Sequence, residues 1–448
     1  MFSSGARPRA TLAPPPTLFA WGALLMVAAN SFCRVASAVP TNADIYRLRE
    51  EWDWCGPRHE VHGLVGLDDY LCQKVFPGTF DRDFQCPRFS TSGQRPFATP
   101  GTNVSETAID EAELDNIVNG LDFSVAVGIV KRNGDGTYGI RYLGKNAREP
   151  HETWSSSKVY AGHHAANKLR GGGIRFPGLS TFEVGKAAGN SNNALPPAIG
   201  LSDLMTIVAS YDTTKNLSSN QLGAYYHSIG GHEDANRFLH EVLGAPGTES
   251  FGGDYGEAVP SPPLSYHFTT SRTSFGRNVT IPADHAPKPP LSNTMSAITM
   301  AEWLRRLVFA REDHGIANHS FFQWQDSQDI FYGSDNSSLF PTLQYGGMSM
   351  SSDVYVQLGL DMENLNRTTV ADWRIFSKLG FGYTSIRKQY EVTLNAYLCL
   401  PLGENGRGIE FVLSAKTFDK TLDDGEMVDL KMREGIRNIT QYLLQHYT

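Results

Sequence analysis

The sequence is poor in the features of metal, cofactor and nucleic-acid proteins. Cysteine is scarce, with five among 448 residues and no Cys-x-x-Cys pair, and this argues against the usual structural zinc sites. His59 and His62 lie close together without further ligands nearby, so the sequence predicts no metal site and no cofactor. The formal net charge is −8 and no long basic run occurs, which argues against a nucleic-acid partner.

Long apolar runs are also missing. The apolar run Leu18–Ala29 has twelve residues and is too short to span a membrane. It follows two basic residues, Arg7 and Arg9, and precedes the small-residue sequence that ends at Ala38. This order is typical of a secretory signal peptide. We therefore expect residues 1–38 to be removed and the protein to be secreted or to reside in the secretory-pathway lumen.

An uncleaved membrane anchor is the alternative interpretation of the N-terminus. Asn30 and Arg34 interrupt the apolar run, and polar residues at those positions disfavour a span. No other segment is apolar enough, so the sequence predicts no stable membrane span after signal cleavage.

The few cysteines that remain after cleavage fit an oxidising compartment. They are Cys55, Cys72, Cys86 and Cys399, and four cysteines allow two disulfides in three pairings. Because three of them cluster within residues 55–86, we expect at least one bridge from that segment to a distant position, with Cys399 as the candidate.

Seven Asn-x-Ser/Thr sequons support secretion. They lie at Asn103, Asn216, Asn278, Asn318, Asn336, Asn366 and Asn438. Together with the signal peptide they predict a glycoprotein.

The order of the predicted strands and helices indicates an α+β fold. Residues 39–105 read as an irregular, cysteine-containing N-terminal extension. In residues 106–448, strands are predicted near both ends of the chain, as at 123–130 and 409–415, and helices between them. This order predicts one mostly antiparallel sheet flanked by terminal helices, with an inserted all-helical subdomain over about 159–350. Within the insert, residues 245–292 are rich in Gly, Pro, Ser and Thr, which predicts a functional loop or a poorly ordered one.

A Ser-x-x-Lys element follows the first predicted hairpin. Ser155 and Lys158 are three residues apart at the start of a predicted helix, so they share a helix face. The free N–H groups and positive dipole end at a helix start favour an anionic nucleophile, and a neutral lysine nearby accepts the hydroxyl proton. A second such element, Ser385 to Lys388, lies between two strands without a helix start and reads as a solvated turn.

Three elements in this order resemble the penicillin-recognising serine hydrolases, which are class A β-lactamases and D-alanyl-D-alanine peptidases. The elements are Ser155-x-x-Lys158, Ser218-x-Asn220 and Lys378-Leu379-Gly380, similar to Ser-x-x-Lys, Ser-x-Asn and Lys-Thr/Ser-Gly. The resemblance covers roughly residues 120–448.

The resemblance implies a role for each matching residue. Ser155 is implied as the acylated nucleophile, Lys158 as its base or proton relay, and Ser218 as the proton shuttle to the leaving group. Asn220 is implied to bind substrate and orient Lys158, while Lys378 supplies positive charge across the cleft. The strand at Leu379, Gly380 and Phe381 is implied to line the substrate, with the N–H groups of Ser155 and Phe381 as oxyanion donors.

Two of these elements have rivals elsewhere in the chain. Ser334-Asp335-Asn336 is the literal Ser-Asp-Asn form, but it lies after the predicted helix at 298–310 and is also a sequon. Lys416-Thr417 lacks the glycine of the third element. Ser218 itself completes the sequon of Asn216.

Two departures from the family pattern bear on activity. Leu379 stands where the family has a hydroxyl residue that helps to hold a substrate carboxylate. No Glu-x-x-Leu-Asn sequence, whose glutamate activates the deacylating water in class A enzymes, occurs within 245–292, where Glu249 and Glu257 are the available carboxylates. The leading hypothesis is a secreted serine hydrolase that acts on a small-molecule, peptide or ester substrate through an acyl-enzyme. The alternatives are an inactive extracellular binding module of the same fold, and an unrelated α+β protein.

Overall fold

The computed structural model describes most of the chain beyond residue 84. The described residues are 85–89, 95–101, 103–171, 182–184, 199–201, 205, 208, 219–256, 264–270, 278–284, 293–312, 322–333, 348, 374–402, 406–420 and 425–448. They all fall within one compact unit, residues 46–448.

The described chain contains twelve strands. In chain order they are β1 (Ile109–Asp110), β2 (Ser124–Arg132), β3 (Tyr138–Lys145), β4 (His151–Glu152), β5 (Phe182–Val184), β6 (Ile199–Gly200), β7 (Ser265–Thr270), β8 (Asn278–Pro282), β9 (Thr294–Met295), β10 (Arg374–Thr384), β11 (Gln389–Leu402) and β12 (Arg407–Asp419).

Seven α-helices accompany these strands in the described part of the chain. They are α1 (Ala112–Asp115), α2 (Lys158–Gly171), α3 (Ser219–Gly230), α4 (His232–Arg237), α5 (Ala297–Val308), α6 (Trp324–Tyr332) and α7 (Gly425–His446). A 3₁₀ turn, Trp154–Ser157, runs directly into α2, and a π-helical turn, Phe238–Val242, continues α4.

The main sheet combines strands from both ends of the domain. Its order is β1-β3-β2-β12-β11-β10, and only the short β1–β3 pair is parallel. The last three strands are long and buried over most of their length, so they need apolar or well-partnered side chains at nearly every position. The predicted α+β architecture with a mostly antiparallel sheet is confirmed.

Two apolar cores cover the two faces of the main sheet. On one face α7 packs through side chains such as Met432 and Ile436 against Leu394 and Leu413. On the other face α5 and α2 pack around Tyr160 and Trp303. Both faces of the C-terminal strands are therefore buried, and the edge strand β10 lies beside the start of α2.

The inserted region is not all helical, and this part of the prediction is wrong. It contains a four-stranded antiparallel sheet in the order β6-β5-β7-β8. Two of these strands, β7 and β8, lie within the stretch 245–292 that was predicted to be a loop. These strands contain aromatic and β-branched residues such as Tyr266 and Ile281, which favour strands. The strands are too short for this preference to stand out in a sequence that is rich in Gly and Pro on either side.

The predicted bridge between the cysteine-containing segment and Cys399 is confirmed. Cys86 and Cys399 form a disulfide across a sequence separation of 313 residues. Nearby, Ala98 forms an antiparallel bridge with Ile140 of β3. The described end of the N-terminal extension is therefore attached to the main sheet.

Several predicted features lie outside the described residues. They are the signal peptide 1–38, His59 and His62, Cys55 and Cys72, Ser218, the rival Ser334-Asp335-Asn336, Glu257, and the sequons at Asn216, Asn318, Asn336 and Asn366. In the part of the chain that is described, no helix has the length and apolarity of a membrane span.

Candidate active site

The chain around Ser155 makes an unusual turn. Trp154 has φ of +46°, in the left-handed region that costs a bulky residue energy and that collects at functional sites. The 3₁₀ turn Trp154–Ser157 begins here, and Ser155 remains only half-buried at its start. The Ser156 N–H donates to the carbonyl of Thr153 at 3.1 Å, whereas the Ser155 N–H precedes the first hydrogen bond within the turn, as the first N–H groups of a helix do. Ser155 therefore lies where free donors and an accessible hydroxyl meet.

Side chains from β11 hold this turn in place. Thr393 Oγ1 donates to the carbonyl of Thr153 at 2.8 Å, and Asn395 Nδ2 donates to the carbonyl of Ser156 at 3.3 Å. Ser156 Oγ also donates to the carbonyl of Thr153, at 2.6 Å. Because these groups are buried, each bond is costly to break, and the turn is fixed relative to the sheet.

Lys158 is buried and its amine is directed at the start of α3. The amine donates to Asn220 Oδ1 at 2.6 Å and to Ser219 Oγ at 3.0 Å. Ser219 is the middle residue of the Ser218-x-Asn220 element, and both of its described residues open α3 rather than lie in a loop. Lys158 and Asn220, which the sequence predicts to act together, are thus in contact.

The loop 251–256 forms a wall beside Lys158. The Tyr255 ring lies 5.3 Å from the Lys158 amine, a cation–π distance, and the Tyr255 hydroxyl lies 3.3 Å from Ser157 Oγ. Burial raises the pKa of the Tyr255 hydroxyl, so Tyr255 is neutral at physiological pH. Asn293 ties this loop to the turn, since its Oδ1 accepts from Gly253 N at 2.7 Å and its carbonyl accepts from Thr153 N at 2.8 Å.

Strand β10 approaches the start of the 3₁₀ turn through Gly380. A Cβ atom at Gly380 would lie 2.8 Å from the backbone nitrogens of both Ser155 and Ser156. Only a residue without a side chain fits this approach. The sheet order therefore brings the Lys378-Leu379-Gly380 strand beside Ser155, which counts against the hypothesis that the three elements are coincidental.

Lys378 is completely buried near Lys158. Burial, followed by the charge of Lys158, lowers the pKa of Lys378 well below its usual value. Its amine donates to the carbonyl of Leu379 at 3.1 Å. The site therefore contains two neighbouring amines, and their mutual repulsion disfavours the state in which both are charged.

The other two residues predicted on this strand belong to the opposite face of the sheet. The Leu379 side chain packs into the core beneath α7, because neighbouring side chains of a strand alternate between faces. Phe381 follows the same alternation, and its half-exposed ring stacks at 5.8 Å on Tyr390. Leu379 and Phe381 thus contribute backbone, not side chains, on the side of Ser155.

The rival elements in the described chain have other roles. Ser385 to Lys388 forms the exposed β10–β11 turn, with Lys388 at φ +51°. Lys416 lies on the inner strand β12 and pairs with buried Glu391 at 3.1 Å. Thr417 donates to the carbonyl of Leu121 at 2.8 Å.

Glu249, one of the two carboxylates available for deacylation, is used elsewhere. It is buried and accepts from Thr299 Oγ1 at 3.1 Å at the start of α5. Burial raises its pKa. The described part of the following loop presents Tyr255, not a glutamate, to Lys158.

Sequence reasoning missed Ser219, Tyr255, Thr393 and Asn395. Ser219 is the middle residue of the Ser218-x-Asn220 element, so the sequence had already drawn attention to its neighbours. Thr393 and Asn395 had a weaker signal: they are polar residues at alternate positions of an otherwise apolar strand, which predicts partners on one face. Tyr255 lies in a Gly-rich loop without any pattern.

The arrangement is suited to nucleophilic catalysis. It combines an accessible hydroxyl at a strained turn, a buried amine one helical turn away, and backbone donors beside an edge strand. Among the described residues, no group of three or more His, Cys, Asp or Glu side chains is placed to hold a metal ion.

Similar solved structures include class A β-lactamases. An ancestral class A β-lactamase (GNCA) is 13% identical, with 74% of this chain and 99% of that chain covered and a TM-score of 0.41. A β-lactamase from Xanthomonas campestris is 14% identical. The match covers 76% of this chain and 99% of that chain, with a TM-score of 0.40. The class A β-lactamase from Mycobacterium abscessus is 13% identical. The match covers 74% of this chain and 98% of that chain, and its TM-score is also 0.40.

These comparisons concern the course of the chain alone. No protein-family model matches the sequence, and no curated protein matches it either. At such low identities and TM-scores, the roles of the site residues rest on the distances in this chain. In the course of its chain, the protein is similar to class A β-lactamases over about three quarters of its length.

Proposed function

We propose that the protein is a serine hydrolase that forms an acyl-enzyme through Ser155. The observation that carries this proposal is the buried Lys158 amine, held at 2.6 Å from Asn220 Oδ1, in a residue whose backbone N–H donates to the carbonyl of Ser155 at the end of the 3₁₀ turn. Burial of a lysine amine costs free energy, and this amine is directed at Ser219 and Asn220 at the start of α3. Its placement beside an accessible serine gives it a chemical use.

The proposed reaction follows from the positions of these groups. The Ser155 hydroxyl attacks the carbonyl carbon of an amide or ester and gives its proton to the Lys158 amine, in the state of the amine pair in which Lys158 is unprotonated. The backbone N–H groups beside Gly380 stabilise the oxyanion. The carbon–nitrogen or carbon–oxygen bond then breaks, and the leaving group takes up the proton through the hydroxyls near Lys158. Water hydrolyses the acyl-enzyme in a second step.

Covalent labelling tests this proposal directly. A fluorophosphonate probe loses fluoride when a serine oxygen attacks its phosphorus, so labelling reports the nucleophile. We expect the wild type to be labelled and Ser155→Ala to be unlabelled. Ser385→Ala is the matched control, because it changes the serine of the other Ser-x-x-Lys element, and it should label like the wild type. Absence of labelling of the wild type, while a reference serine hydrolase reacts, contradicts the proposal.

A binding module that retains this fold without turnover is the second candidate. Leu379 favours it, because its side chain packs into the core beneath α7 and position 379 therefore offers no hydroxyl to a substrate carboxylate. Equilibrium binding of penicillins or acylated peptides without any covalent adduct supports this candidate. A covalent adduct at Ser155 contradicts it.

We also propose that the protein acts outside the cytosol as a glycoprotein. The buried Cys86–Cys399 disulfide supports this location, since such bonds persist in oxidising compartments. Two sequon residues lie on the described surface, Asn103 and Asn438, both half-buried. Expression in a eukaryotic secretory host should give secreted protein whose mass falls after glycosidase treatment. Retention in the cytosol with free thiols contradicts the proposal.

A further inference from the structure

The residue in front of the candidate nucleophile is held by a buried carboxylate. The Trp154 indole lies against Gly382 of β10, where an added Cβ would collide with the ring. The indole nitrogen donates to Glu391 Oε2 at 3.0 Å. Since Trp154 has the positive φ that sets the direction of the turn, its side chain is anchored at the point where the backbone is strained.

The anchoring carboxylate is fully buried and saturated with donors. Glu391 Oε1 accepts from Arg387 Nε at 2.7 Å and Gln389 Nε2 at 2.7 Å, and Lys416 Nζ lies 3.1 Å from it. Oε2 accepts from Arg387 Nη2 at 2.8 Å as well as from Trp154. Although burial alone raises the pKa of a carboxyl group, the bonds from Arg387 and the charge of Lys416 hold the pKa of Glu391 at about 2.

Stability alone does not account for so polar an anchor. Replacement of a buried ion pair by well-packed apolar side chains is often neutral or stabilising. A strained backbone residue, in contrast, persists only where the surrounding structure determines its conformation. The donors to Glu391 come from the β10–β11 turn, β11, β12 and the strained turn itself, so the carboxylate connects Trp154 to three separate parts of the main sheet.

We propose that Glu391 is a positioning residue that fixes Trp154, and through it the Ser155 hydroxyl and the neighbouring backbone N–H groups, in their reactive arrangement. This inference rests on the proposed function of Ser155. It adds a role for the exposed Ser385–Lys388 turn, because Arg387 of that turn supplies two of the bonds to Glu391.

The test compares Glu391→Gln with a matched variant, Glu410→Gln. Glu410 is also a buried carboxylate of the main sheet and accepts from Arg132 at 2.7 Å and 2.8 Å and from Tyr397 at 2.8 Å. Glu410 has no contact with Trp154 among its bonds. Both variants remove a buried charge, so both lower the melting temperature, whereas only Glu391→Gln should disturb the turn.

Two measurements separate positioning from general stability. We expect Glu391→Gln to lower the maximal rate of fluorophosphonate labelling by up to about 100-fold, with little change in the probe concentration at half-maximal rate. Trp154→Phe should reproduce this loss, and Glu410→Gln should label at the wild-type rate. Equal labelling rates in the two glutamate variants overturn the inference.

The second measurement does not require activity. Hydrogen exchange of the Ser155 and Ser156 amides should accelerate in Glu391→Gln and remain unchanged in Glu410→Gln. If the wild type is not labelled at all, the proposed function fails, while the exchange comparison still decides whether Glu391 fixes the turn. Unchanged exchange in Glu391→Gln overturns the inference in either case.

Discussion

The chain contains the same four-residue pattern twice, and the two copies differ in every physical respect. Ser155 to Lys158 begins a helix, and its lysine is buried against Asn220 and Ser219. Ser385 to Lys388 forms an exposed hairpin turn, and its lysine is solvent-exposed. Identical spacing thus gives a candidate catalytic pair in one place and a solvated turn in the other.

The comparison shows that the surroundings, not the pattern, create the chemistry. Lys388 is exposed to solvent, and an exposed side chain has no need for fixed partners. The site around Lys158 also buries Lys378, whose pKa is lowered by burial and by the charge of Lys158, and such surroundings are the ones that produce reactive lysines. The second turn also contributes to the first, because its Arg387 binds Glu391, which accepts from Trp154.

The largest contrast is expected for the two lysines. Lys158→Met retains a buried chain of similar length but removes the amine, so the proton of Ser155 loses its acceptor. We expect the labelling rate to fall about 10²- to 10⁴-fold. Lys388→Met, in the exposed turn, should leave the rate unchanged. Similar rates for the two variants, with both folded by circular dichroism, contradict the role of Lys158.

An intermediate effect is expected from the close approach of β10. In Gly380→Ala, the new Cβ meets Thr393 Oγ1 at 2.5 Å and the nitrogens of Ser155 and Ser156 at 2.8 Å, so the turn or the strand must shift. Loss of aligned backbone donors predicts a drop of about 10²- to 10³-fold in the labelling rate. Gly247→Ala is the control, since nothing lies within 4 Å of its added Cβ. A wild-type rate in Gly380→Ala contradicts the placement of the donors.

The smallest effect concerns stability in acid. The helix that carries Lys158 also buries His163, whose pKa burial lowers from 6.5 to about 3. Below pH 6.5 the unfolded chain binds a proton that folded His163 does not, so the free energy of unfolding decreases as pH falls towards 3. The loss amounts to about 2 kcal/mol by pH 5.

Chemical unfolding at two pH values measures this loss. His163→Phe removes the hydrogen-bond acceptor of Trp303 Nε1, which lowers stability at both pH values, so the difference between them is the useful quantity. That difference should be about 2 kcal/mol smaller than in the wild type. An unchanged difference in His163→Phe contradicts the assignment of a neutral, buried histidine.

Much of the fold could be predicted because long strands carry a strong pattern. The sequence of β11 alternates between apolar and polar residues, and Gly-rich turn residues separate it from the strand predicted at 409–415, so the existence of both strands followed from the sequence. The short strands β7 and β8 could not be predicted, since Gly, Pro and Ser around them outweigh a few aromatic and β-branched residues. Contacts between these segments come from tertiary packing, which local propensity does not encode.

The site could be predicted only where its residues lie in recognisable order. Ser155, Lys158 and Asn220 belong to spaced elements, and the sequence therefore pointed to them. Glu391 and Tyr255 could not be found in this way, because their positions depend on how distant strands and loops meet. The sequence also did not show whether Leu379 or Gly380 lies beside Ser155, because that depends on which face of β10 is turned towards the 3₁₀ turn.

The most direct test of the central claim is to locate the covalent adduct of the wild-type protein. After reaction with a fluorophosphonate, the intact mass should increase by one probe residue, and peptide mapping should place that increase on Ser155. An adduct on Ser219, on Ser385 or on any other residue, or an unchanged mass under conditions where a reference hydrolase reacts, would contradict the account.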